Sequence, residues 1–180
     1  MRVNRLAANP VHGSNPHRRQ HEVIFDGEDP TAMIDHQRMS AMRIAARGDI
    51  RAMFDVRLAV RENLLAPGEV TEEDVQRAIE ESGRGWVIED GGRVVAFGIG
   101  DAGNRSIWAL FVLPEYEGRG HGRLLHDTMV AWLGSSSPRP IWLTTMPGTR
   151  ADRFYRLLGW QEAGPAEDGQ IRMELTPAAC

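Results

Sequence analysis

The sequence predicts a mixed α/β (α+β) domain built on one mostly antiparallel sheet with helices packed against it. Three observations carry that prediction. Short β-prone apolar runs of strand length, such as Ile107 to Leu113, alternate with stretches of helical period. Asp90-Gly91-Gly92 joins two of these runs as a hairpin turn would. The third is the stretch from Ser106 to Leu133, where a strand, a glycine-rich turn and a helix follow one another directly.

Residues 1–41 stand apart from the rest. They hold four of the six histidines, several Asn and Pro residues, and one apolar cluster, Val23-Ile24-Phe25. A polar, flexible extension is expected there, ahead of a domain over 42–180. His17 and His21 have the spacing of two helical metal ligands, but the glutamate of H-E-x-x-H is missing and Gly13 and Pro16 oppose a long helix. No metal site is expected. From Gly48 the chain becomes regular. Asp49 is expected to cap a helix reaching Asn63, with Ile50, Met53, Phe54 and Leu58 on its apolar face and Pro67-Gly68 beyond its end. Thr71-Glu72-Glu73-Asp74 reads as a capping-box start to a second helix that ends near Ser82-Gly83.

Strands are expected at Trp86 to Glu89, Arg93 to Ile99, Ile107 to Leu113 and Ile141 to Thr145. Gly148-Thr149 leads into a helix with Ala151, Phe154, Tyr155 and Leu158 on one face and Gly159 at its end. Two last short strands flank Glu167-Asp168-Gly169, with Ile171 to Leu175 the clearer.

The central stretch carries the functional signal. Pro114 stops its strand, because proline has no N–H to give a ladder. Gly118, Gly120 and Gly122 then alternate into a helix whose stripe is Leu125, Met129 and Trp132, widened by Leu124 and Leu133. The first N–H groups of a helix have no internal partner, and the dipole adds about half a positive charge there. Such a terminus suits a phosphate, and glycine lets backbone approach it closely. A glycine turn alone is as often only a turn. Arg119 and Arg123 beside it, and glycines denser than one turn needs, favour the phosphate.

Several classes fall away. The loop reads G-x-G-x-G, not the dinucleotide G-x-G-x-x-G, and no carboxylate lies near Trp142 for a ribose. All 21 basic residues are arginine, so a P-loop lysine and a Schiff-base lysine are both absent. A net charge of −4 makes no case for nucleic acid. No apolar run approaches the roughly 18 residues of a membrane span. Cys180, the single cysteine and last residue, can form no internal disulfide and is a poor nucleophile. No secretory h-region follows the N-terminal arginines, so a cytoplasmic location is expected. A phosphate-bearing cofactor held mainly by backbone remains.

Val112-x-Pro114-x-Tyr116-x-Gly118-Arg119-Gly120-x-Gly122-x-x-Leu125 resembles the acyl-CoA loop of the GNAT superfamily of N-acetyltransferases. That family's pattern is Arg/Gln-x-x-Gly-x-Gly/Ala; Gly120 and Gly122 match it, and Glu117 stands where Arg or Gln is usual. Further on, Ala151 to Trp160 resembles the second signature, A-x-x-F-Y-x-x-x-G-F/W. Two signatures in the right order are far more specific than either alone. The resemblance runs from about Met42 to Leu175, which makes Met42 a candidate biological start.

The resemblance implies a sheet whose strands Ile107–Leu113 and Ile141–Thr145 splay apart, and acetyl-CoA as cosubstrate with no metal. Backbone near Leu110, Phe111 and Val112 would bind the pantetheine arm and polarise the thioester carbonyl. Gly118, Arg119, Gly120, His121, Gly122 and Arg123 would hold the pyrophosphate. Tyr155 falls at the usual general-acid position, and a phenol of pKa about 10 can protonate a departing thiolate. The asparagine that often precedes the second signature is Gly148 here, which weakens one expected contact.

No base is identified: Glu62, Glu89, Asp101 and Glu117 are conceivable, but carboxylates so placed are more often solvated surface charges. His126 is expected on a helix face. The expected activity is acetyl transfer to a primary amine, on a small molecule or a peptide, by direct attack in a ternary complex. Arg57, Glu62 and Asn63 are weak candidates for the acceptor pocket. Neither nucleic acid nor membrane is expected as a partner, and a homodimer is left open. Two rival readings are a non-catalytic acyl-CoA-binding regulator and a protein acetyltransferase acting on a partner chain.

Overall fold

Residues 40–60, 70–135 and 137–177 are described by the structure, a computed structural model. Seven strands form one sheet: β1 (Ala41–Ile44), β2 (Gly83–Asp90), β3 (Arg93–Asp101), β4 (Ser106–Val112), β5 (Ile141–Thr145), β6 (Gln161–Pro165) and β7 (Ile171–Leu175). Their order across the sheet is β1-β2-β3-β4-β5-β7-β6. Every neighbouring pair is antiparallel except β4 and β5, which run parallel. Four helices complete the fold: α1 (Ile50–Ala59), α2 (Glu72–Glu80), α3 (His121–Gly134) and α4 (Arg150–Leu157).

Both faces of the sheet are covered at β3, whose residues from Val94 to Gly100 are all buried. On one face Gly98 backs directly onto α3, where an added Cβ would lie 2.8 Å from the Met129 methyl. Trp86 and Trp132 meet edge-on there at 5.4 Å. On the other face Phe97 lies with Met53 and Phe54 of α1 and stacks on Phe111 of β4 at 5.4 Å. Leu125, Met129 and Leu133 of α3 are almost wholly buried, each burial stabilising by roughly 1.5–3 kcal/mol. This core fixes α3, and with it the loop that precedes α3, on the edge of the β4–β5 gap.

Several expectations hold. Thr71 caps α2 by accepting the Asp74 N–H while the Asp74 carboxylate accepts the Thr71 N–H. Thr149 caps α4 by accepting the Asp152 N–H at 3.2 Å, and Gly159 closes it with φ +87°. Pro114 does end β4, as the first residue of a 3₁₀ turn.

Others are corrected. Asp49 does not cap α1 with its side chain, because a 3₁₀ turn over Arg47–Asp49 already feeds into the helix. Its carboxylate turns back instead, accepting the Ala46 N–H and pairing with Arg43, which hold it below the usual carboxylate range. Helix α1 ends at Ala59, short of the expected Asn63, and residues 61–69 lie outside the described ones. Strand β2 starts at Gly83 rather than Trp86. Gly83 sits so close to Gly100 that no side chain fits, so the pairing there leaves no apolar signal in the sequence. Strand β1 was not expected at all. The expected domain start at Met42 falls one residue inside it, paired with Ile88. His17, His21, the rest of the expected extension through Met39, and Cys180 lie outside the described residues.

Candidate active site

Strands β4 and β5 share one bridge, Ser106 with Trp142, and part beyond it. The gap between them opens into a cleft of about 460 Å³, lined by β4 from Ile107 to Val112, by Leu143 to Met146, and by the starts of α3 and α4. Strand β4 also carries an extra residue: Ile99 pairs with Ala109 and the next residue, Gly100, with Ile107, leaving Trp108 as a bulge in the cleft wall. Bulges unpair and re-aim backbone, and they recur beside active sites. Here the bulge lies just before Leu110, Phe111 and Val112, all three of which line the cleft.

At one end of the cleft lies the glycine loop. Gly120 adopts φ +86° as the N-cap of α3, and nothing stands within 4 Å of where its Cβ would be. The first N–H groups of α3 therefore face an open, glycine-walled cradle. Gly118, Gly120, His121, Gly122 and Arg123 all line it. Arg119 does not. Its guanidinium lies over the Tyr116 ring at 4.5 Å and donates to the Glu115 carbonyl. His121 is buried, and its Nε2 has no partner among the described residues. Burial, followed by the Arg119 charge, lowers its pKa. An open cradle of backbone donors with a buried, unpaired ring nitrogen beside it fits a phosphate-bearing ligand.

Tyr155 lies in the opposite wall, on α4. It is 7% exposed, lines the cleft, and packs against Phe154 at 5.3 Å and Trp160 at 5.6 Å. Burial raises the phenol's pKa well above its usual value, so it stays protonated. Asp152, one turn earlier, accepts the Gly148 N–H at 2.8 Å and pairs with Arg156 at 2.6 Å, which locks the entrance to α4.

Behind Tyr155, and away from the cleft, lies His126. Its Nε2 accepts the Trp160 indole N–H and its Nδ1 meets Asp127, both at 2.8 Å, which defines the neutral ring with its proton on Nδ1. Burial lowers its pKa, the Asp127 hydrogen bond opposes the shift, and the Arg123 charge adds to it. A folded-state pKa below the unfolded value means that the folded chain binds fewer protons. This contribution to stability is complete above about pH 6.5 and is lost as pH falls through that value and the folded one. His121 shifts in the same direction. The melting temperature is therefore expected to fall between pH 7.5 and 5. His126→Gln, which cannot gain the proton, is expected to flatten that slope; an unaltered slope in the variant would clear His126 of the effect.

The carboxylates named from the sequence separate cleanly. Glu89 is bound to Arg43, and Asp101 holds the turn at Asn104; neither lines the cleft. Glu117 does line it, ion-paired to Arg150. Arg57 lines the far end, its guanidinium 5.2 Å from the Phe111 ring centre, while Glu62 and Asn63 lie outside the described residues. Among the described residues no three His, Cys, Asp or Glu side chains gather as a metal site, and no helix is long and apolar enough to cross a membrane. Sequence reasoning missed Trp108 as a bulge and Arg150 as a cleft residue. Arg150 stands immediately before Ala151, where the second signature begins.

The family described as Acetyltransferase (GNAT) matches residues 51–160. No curated protein matches the chain in sequence. Among solved structures, the ribosomal-protein-S18-alanine N-acetyltransferase of Escherichia coli superposes with a TM-score of 0.64 at 20% identity, over 79% of this chain and 96% of that one. Ard1 from Thermoplasma volcanium gives 0.64 at 20% identity, over 78% and 99%. PaiA N-acetyltransferase from Thermoplasma acidophilum, solved in complex with coenzyme A, gives 0.66 at 12% identity, over 77% and 99%. At these identities the likeness is one of fold.

Proposed function

The chain belongs to the GNAT acetyltransferase family, and from that membership we propose that it transfers an acetyl group from acetyl-CoA to a primary amine by direct attack in a ternary complex. One observation carries the reading: the β4–β5 cleft has a helix N-terminus with a glycine cradle at one end and a buried, protonated phenol in its wall. Acetyl-CoA, when bound, supplies the activated acyl group as a thioester. The N–H groups at the start of α3, from His121 to Arg123, bind the diphosphate. Backbone donors in the half of β4 from Leu110 to Val112 hold the arm and stabilise negative charge on the carbonyl oxygen. Tyr155 holds the proton that the departing sulfur takes.

Residues 42–180 carry this activity, and the location is the cytoplasm, where the thioester is made and used. The complex of the Thermoplasma acidophilum neighbour with coenzyme A supports the ligand. The absence of a cysteine among the described cleft residues supports direct transfer without an acyl-enzyme.

The rival with a specific observation behind it is the acyl-CoA-binding regulator. Among the described residues the one carboxylate lining the cleft, Glu117, is tied to Arg150, so no carboxylate stands ready as a base for the amine, and the neutral His121 lies at the glycine cradle proposed for the diphosphate. A panel of amines and peptides, scored by CoA release, separates the two. The absence of lysine keeps self-acetylation of lysine side chains out of the background, and the acceptor-free rate accounts for any exchange at the Cys180 thiol. Release above the acceptor-free rate with any acceptor, at full length and from Met42, supports transfer. Tight acetyl-CoA binding with no turnover across the panel overturns it in favour of the regulator.

A further inference from the structure

A carboxylate at the mouth of a site for a polyanion is a cost unless something offsets it. Glu117 is such a carboxylate, since it lines the cleft three residues before Gly120. Its partner Arg150 is the first residue of α4, on the opposite wall, and it too lines the cleft. The pair therefore spans the gap between the β4 wall and the α4 wall at the end where the glycine cradle lies.

The other arginines nearby are engaged elsewhere. Arg119 lies on Tyr116, Arg153 donates to the Gly148 carbonyl, and Arg156 bonds Asp152 and Glu162. Arg123 lines the cleft but pairs with Asp127 along α3. Arg150 thus differs from all of them: among the described residues its ion-pair partner, Glu117, is itself in the cleft, and it faces the cradle from across the gap.

We propose that Arg150 is a diphosphate-binding residue, and that Glu117 is its positioning residue, holding the guanidinium over the cleft in the free protein. The proposal rests on the acyl-CoA reading above and adds to it a side-chain cation from α4. Glu117 stands where the family pattern has Arg or Gln, so in this chain the cation reaches the phosphates from the other wall. A guanidinium matches phosphate in bidentate geometry, and it can keep one N–H on Glu117 while presenting others to the ligand.

Calorimetry on the full chain tests this with four probes: CoA, dephospho-CoA, 4′-phosphopantetheine and pantetheine. Arg150→Gln is expected to weaken CoA and dephospho-CoA alike, by about 10- to 100-fold for a lost charge-assisted contact, and to leave pantetheine unchanged. Glu117→Gln alone is expected to weaken CoA several-fold, because the guanidinium is no longer held over the cleft. Adding Glu117→Arg to Arg150→Gln, which returns a cation from the loop side, is expected to restore most of the loss. Melting temperatures of the variants confirm that each is folded.

Wild-type affinity in Arg150→Gln overturns the proposal. A loss confined to CoA also overturns it, by assigning Arg150 to the 3′-phosphate. Tighter binding in Glu117→Gln overturns the positioning role and leaves Glu117 as a repulsive charge. Failure of the unaltered protein to bind any of the four defeats the acyl-CoA reading itself, an outcome distinct from the failure of Arg150 alone.

Discussion

Tyr155→Phe is expected to lower turnover by about 10²-fold or more, the usual scale for a positioned general acid, while leaving acetyl-CoA affinity and stability nearly unchanged. The substitution removes one oxygen and keeps the ring that packs on Phe154, Trp160 and His126. The phenol's hydroxyl makes no hydrogen bond among the described residues, so its removal strands no partner. Burial holds the group protonated far into the alkaline range. The wild-type rate is accordingly expected to show no loss of the acid between pH 6 and 9. A fall in kcat and kcat/KM together means an interaction made in the transition state, whereas a rise in KM alone would mean ground-state binding. The measurement is steady-state CoA release with an acceptor from the panel. Unchanged turnover in the variant would remove Tyr155 from the chemistry.

What was legible in the sequence was local. The strand, glycine loop and helix around Gly120, the capping box at Thr71 and the end of α4 at Gly159 each depend on residues within one or two turns of chain. All three stand in the structure as read. Features decided by pairing between distant segments were not legible. The bulge at Trp108 exists only because β3 offers one residue fewer across from it. Strand β1 is an edge strand with three of four residues exposed, so it carries no alternation to detect. Arg150 reads as a helix-start charge until the fold brings it to Glu117, 33 residues away. The candidate site divides in the same way. The cradle and Tyr155 follow from motifs, but Arg119 sits within the phosphate motif and the structure turns its side chain onto Tyr116.

Gly122→Val is expected to abolish tight acetyl-CoA binding, a loss of about 10²-fold or more, without unfolding the protein. The two parts of that expectation come from different features of the position. Gly122 is the second residue of α3 and has no left-handed φ, so a side chain meets no backbone strain there. An added Cβ would lie 3.7 Å from Val112 Cγ2 and 3.8 Å from Phe154 Cζ, ordinary contacts that leave the helix intact. Valine is also a better helix former than glycine. The branched methyls must then extend from this crowded point into the cleft, between β4 and α4, in front of the N–H groups proposed to take the diphosphate. Gly120→Val contrasts with it. At φ +86° any Cβ strains the backbone by roughly 1–2 kcal/mol, so that variant is expected to lose melting temperature as well as affinity. Calorimetry and thermal melts on both variants read these effects apart. Wild-type affinity in Gly122→Val, with the fold intact, would place the diphosphate somewhere other than the start of α3.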